Sequence, residues 1–94
     1  MIARPEFRVI RQESASLNFA SIATTAYEDL TISLPGAKIN DLVLLGLPAA
    51  PFAGLAYMAF VSAADVVTVR AMNYTGTSKD AGAQTFSVAV AQLY

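Results

Sequence analysis

Two pairs of residues could bring a hydroxyl nucleophile to an amine, Ser33 with Lys38 and Ser78 with Lys79. Activation of that kind needs a lysine driven to neutrality by burial, and both lysines stand in polar, turn-rich sequence. The carboxylates Glu28, Asp29, Asp41, Asp65 and Asp80 could in principle serve acid–base chemistry or a calcium ion. Their spacing matches no ligand loop. Glu28 and Asp29 are neighbours on an extended segment, so their side chains point to opposite faces and do not converge. The plainer reading makes them turn and strand-end residues. The chain has no histidine and no cysteine, which removes the commonest general base, the thiol nucleophile, the zinc-ligand sets and any disulfide. Asn73-Tyr74-Thr75 fits a glycosylation acceptor pattern, against the simpler reading of a strand end followed by Gly76. The glycines stand singly and make no phosphate loop, and no basic residues interleave with aromatic ones as on an RNA-binding sheet. We therefore expect no enzyme, no metal and no cofactor.

Those residues sit on a chain of 94, short enough for one domain. Hydrophobic residues make up 55% and charged ones 14%, against about 25% charged in ordinary soluble domains. A small domain cannot hide that much apolar surface inside one subunit, so self-association is expected. The formal net charge of −1 offers nothing to the nucleic-acid backbone, and no nucleic-acid partner is expected. Charge is unevenly spread. Residues 1–12 hold Arg4, Arg8 and Arg11 against Glu6, while residues 13–94 hold three basic and six acidic residues. The first twelve residues read as an N-terminal arm or edge strand, and 13–94 as a single β-sandwich domain. The opening MIARPEFRVI lacks the apolar core of a secretory signal.

The stretch from Leu42 to Ala64 carries no charge and is long enough to cross a bilayer as a helix. Pro48, Pro51, Gly46 and Gly54 break it, and Asp41 and Asp65 flank it where lysine or arginine would be expected. No membrane partner is expected. Split at the breakers, it reads as strand, Pro/Ala loop and strand, with Phe52 and the prolines expected to be covered by this subunit or a neighbour.

Alternation identifies the remaining elements. Phe7 and Val9, then Leu17 and Phe19, mark two strands, and Leu30, Ile32 and Leu34 mark a third that ends at a Pro35-Gly36 turn. Val67, Val69 and Ala71 share one face of Asp65–Tyr74, which follows a tight turn at Ser62–Asp65. Thr75–Gly82 is a polar surface loop, and Phe86, Val88 and Val90 share a face of Gln84–Gln92. Seven short strands without helical periodicity predict an all-β chain, a small antiparallel β-sandwich or barrel.

From Leu30 to Gln92 the order of short motifs resembles one family. The matching residues are Leu34, Gly36, Ala37, Asp41, Val43, Gly46 and Pro48, then Val61, Ser62, Ala63, Asp65, Val67, Val69, Arg70, Asn73 and Thr75. This resembles the short β-sandwich modules of tailed-bacteriophage structural proteins, which occur as capsid decoration (cement) proteins and as domains of head or tail fibres, commonly as trimers. The resemblance implies a non-enzymatic virion component on the capsid surface, a homotrimer whose partner is the major capsid protein. A short chain with a basic arm and no fibre shaft fits the decoration role better. Arg4, Phe7, Arg8 and Arg11 are then candidates for docking on the capsid, and Phe52, Tyr57, Met58 and Phe60 for subunit contacts. The second reading is a receptor- or glycan-binding fibre module that uses Tyr74 and the loop Thr75–Gly82.

Overall fold

In the computed structural model, which describes residues 7–93 and the side chains of 11–92, the alternating segments form six strands. They are β1 (Phe7–Phe19), β2 (Tyr27–Ser33), β3 (Leu42–Gly46), β4 (Leu55–Ala63), β5 (Val66–Asn73) and β6 (Gly82–Leu93). The expected count was seven. The two N-terminal strands are one, because β1 runs through the whole of Phe7–Phe19 and pairs along its length with β6. A register shift between Val9 and Arg11 explains why the alternation read as two pieces: one extra residue flips the side chains beyond it to the other face. β1 also passes position 12 without interruption, so residues 7–12 belong to the sheet.

The chain is all-β, and the described residues contain no helix. The strands form two three-stranded antiparallel sheets, ordered β1-β6-β3 and β2-β5-β4. Each places its most deeply buried strand in the middle. β5 is rich in β-branched residues, and Val67, Val69 and Ala71 are fully buried; on β6, Phe86, Val88 and Val90 are buried in the same way. Side chains from both sheets join one core with Leu17, Phe19, Ile32 and Leu34. Within it Phe19 meets Phe86 edge to face, with ring centroids 5.9 Å apart, and Tyr57 of β4 approaches Phe86 at 5.1 Å.

The polar residues quoted for the family resemblance hold the turns. Pro35-Gly36 forms the expected turn, with φ of 97° at Gly36 and the Ala37 amide donating to the Leu34 carbonyl at 3.1 Å. Asp65 ends the two-residue turn between β4 and β5 at a φ of 66°. Its carboxylate accepts from the Gly36 amide at 2.8 Å, and its own amide donates to the Ala37 carbonyl at 2.9 Å. One aspartate thus ties the hairpin to the turn after β2. Asp41 likewise accepts from the Lys38 amide at 2.9 Å, and Asp80 from the Gly82 amide at 3.1 Å.

The charge-free stretch is strand, loop and strand, as its prolines and glycines predict. None of the described helices could span a membrane, since none exists among the described residues.

Candidate interaction surfaces

Among the described residues no three histidine, cysteine, aspartate or glutamate side chains gather as metal ligands. Among the described residues one open groove runs over Gln12, Glu13, Ser14, Leu44, Gly46 and Ser87, and another lies between Asn40, Asp41, Leu42 and Gln92. Four surfaces are built distinctly.

The first is the N-terminal group. Arg4 lies outside the described residues. Phe7 and Arg8 lie on β1, paired with Leu93 and Gln92, and their side chains are outside what is described. Arg11 is exposed but already engaged. Its Nε donates to the Pro35 carbonyl at 3.1 Å, and its stem lies over Gly36 so closely that a Cβ there would come within 3.1 Å of the guanidinium nitrogen. Its positive charge reaches solvent while its position is set by the turn.

The second is the quartet Phe52, Tyr57, Met58 and Phe60, which the structure divides. Phe52 and Tyr57 are half-buried and pack against the core. Met58 and Phe60 belong to the other face of β4, with Met58 opposite Arg70 and Phe60 opposite Thr68. Tyr57 carries a cost. Its hydroxyl is buried without a hydrogen-bond partner among the described residues, and that desolvation raises its pKa above the usual 10.0. The loop between β3 and β4 covers Phe52 and Pro48 in part but leaves Leu47, Ala49, Ala50 and Pro51 exposed on this single chain.

The third surface is one that sequence reasoning missed. On the outer face of β2-β5-β4, Arg70 makes a two-pronged ion pair with Asp29, Nε to Oδ1 at 2.8 Å and Nη2 to Oδ2 at 3.0 Å. Its guanidinium also stacks 4.4 Å from the centre of the Tyr27 ring and 5.3 Å from that of Phe60. The hydrogen bond from Arg70 holds the Asp29 carboxyl below its ordinary value of 3.8. Asp29 and Arg70 are directly opposite in the β2/β5 register. Alternation places both on an outer face, but only the register brings them together. Glu28, one residue away, turns inward instead, as strand geometry requires.

The fourth is the Tyr74 loop. Tyr74 is 70% exposed, on a loop fixed from beneath by buried Asn73. The Asn73 amide nitrogen donates to the carbonyls of Ile22 (2.9 Å) and Thr77 (2.8 Å), and its oxygen accepts from the amide and hydroxyl of Thr75 at 2.8 and 2.7 Å. Ile22 and Lys79 exchange backbone bonds alongside, and the Thr24 hydroxyl donates to the Thr75 carbonyl. Both hydrogens of the Asn73 side chain are committed inside the protein, so the glycosylation pattern is a loop anchor here. Neither serine is placed against its lysine by a hydrogen bond: Ser33, Lys38 and Ser78 are exposed, and Lys79 lies along Gly54.

Comparison with known proteins finds no family model that matches this chain, and no match among curated proteins or solved structures.

Proposed function

We propose that this chain is a β-sandwich structural protein of the capsid-decoration type, which associates with itself as a trimer and binds the outside of a tailed-phage head. It acts by covering and joining surfaces, without a chemical step. The observation that carries this reading is the set of large apolar side chains left exposed on the uncharged edge strands β3 and β4 and the loop between them. Leu42, Leu44 and Leu47 follow one another along β3 and its loop, all more than 40% exposed, and Met58 stands exposed on β4, the neighbouring edge strand. Scattered exposed leucines need no explanation, but here they stand on two adjacent edge strands that contain no charged residue, which supports an interface along that flank. The family resemblance supports the virion as the setting.

Docking on the head falls to Arg4, Phe7 and Arg8 with the exposed guanidinium of Arg11. Because β1 includes residues 7–12, a deletion to residue 12 would remove half an edge strand and confuse docking with stability. Removal of residues 1–6, or Arg8→Ala, keeps the β1 positions that pair with β6 from Phe7 to Phe19. Antibody labelling of particles from the same source tests the reading directly: label over the head surface, reduced in the truncated chain, is expected. Absence from purified particles would refute it.

Tyr74, exposed on a loop held rigid by Asn73, supports one second reading, a receptor- or glycan-binding fibre module. Label at a tail or fibre tip, with glycan binding lost in Tyr74→Ala, would favour it.

A further inference from the structure

We propose that the flank formed by β3 and β4 is where a second copy of this chain joins, by adding strand edge to strand edge. Among the described residues only the middle strand of each sheet has two neighbours, so β1, β3, β2 and β4 each have one edge with no strand beside it there. β1 lies beside β2 and β3 beside β4, which gives the molecule two flanks with two open edges each. An open edge presents unpaired N–H and C=O groups and accepts another strand unless charge, proline or a bulge guards it.

One flank is guarded. β1 includes Arg8, Arg11 and Glu13 and is broken in register at Val9/Arg11, and β2 includes Glu28 and Asp29. The other flank is not. β3 and β4 contain no charged residue and no proline. The bulge in β4 falls between Val61 and Ala63, which leaves Leu55–Val61 in regular register. The exposed side chains next to these edges are Leu42, Leu44, Ala56 and Met58. The connecting loop adds only uncharged residues, so the whole flank is covered by the charge-free run.

This lack of charge selects the occupant. A charged strand would lose hydration here with no opposite charge to meet, whereas an uncharged edge loses only water that its backbone partners replace. The chain's own flank is such an edge, and every copy supplies it. Pairing β4 of one copy with β3 of a second joins an open edge of each. The inference rests on the self-association part of the proposed function and is independent of the virion.

Light scattering on the purified chain tests it, with Ala56→Lys on β4, Leu44→Lys on β3 and Thr31→Lys on the guarded β2 edge. All three residues are exposed, and circular dichroism checks that each variant keeps its strands. The wild type should read as a multiple of the chain mass. The Ala56 and Leu44 variants should fall to one chain, and the Thr31 variant should keep the wild-type mass. In the wild type, β4 amides not bonded to β5 should resist hydrogen exchange and lose that protection on dilution; this readout decides the matter if both flank variants unfold. A single-chain mass for the wild type at every concentration overturns the proposal, as does wild-type mass in both folded flank variants. A wild type that is monomeric alone but binds heads would sink this inference and spare the decoration reading; an oligomer absent from particles would do the reverse.

Discussion

The end of the molecule around Asn73 and the flank of β3 and β4 treat their polar groups in opposite ways. At Asn73 one buried side chain satisfies both amide hydrogens and accepts twice, so the segment at Ile22 and the loop at Thr75 and Thr77 are closed on each other. Along β3 and β4 two strand edges have no strand beside them among the described residues, and most side chains on these strands are apolar. The first region stabilises a monomer. The second is the surface that the proposed self-association would complete. The difference shows that a chain low in charge can still reserve its polar groups for fixing loops and leave its bonding capacity on one side.

Substitutions can break this contrast. Asn73→Ala should have the largest effect, about 3 kcal/mol in denaturant unfolding, because it strands buried carbonyls as well as deleting bonds. Light scattering should show self-association unchanged wherever the variant is folded; a loss of both together would mean the two regions are one unit. Gly36→Ala comes next, at more than about 1 kcal/mol in thermal unfolding, since φ there is 97° and the added Cβ meets the Arg11 side chain.

Asp29 and Arg70 yield a pH effect. The folded pKa of Asp29 lies below its unfolded value, so the ion pair stabilises above that value and is lost as pH falls below 3.8 and through the folded pKa. Arg70→Met should flatten that part of an acid-unfolding curve, and an identical curve in the variant would refute the assignment. Tyr57→Phe should change neutral-pH stability least, within about 1 kcal/mol and toward greater stability, because it removes an unpartnered buried hydroxyl. Since burial raises the Tyr57 pKa, its neutral form stabilises the fold up to about pH 10 and that contribution is lost as pH climbs further. The phenylalanine variant should lose less stability in alkali.

Much of the fold could be read from side-chain alternation, since Val67/Val69/Ala71 and Phe86/Val88/Val90 were each assigned to a single face and that face is the core. The turns were legible for a similar local reason, since Pro35-Gly36 sets its own turn within a few residues, whereas the bonds from Asp65 to Gly36 and Ala37 cross between two turns and were not. The strand count failed at Val9/Arg11, where a bulge in β1 breaks a pattern of period two without ending the strand. Of the candidate contact residues, Met58 and Phe60 face outward while Phe52 and Tyr57 pack against the core, a division that depends on the face each strand turns inward.

By itself the sequence determined that this chain is β-structured, that its uncharged run is two strands and a loop, and that it holds more apolar surface than one small core absorbs. Those properties follow from composition and from spacing within a few residues. Only the tertiary structure decided which residues meet across the sheets. Arg70 lies 41 positions from Asp29, and Asn73 lies 51 from Ile22. The gathering of both unguarded edges on one flank is set in the same way. Register and sheet order bring these groups together, and neither is written in any local stretch of sequence.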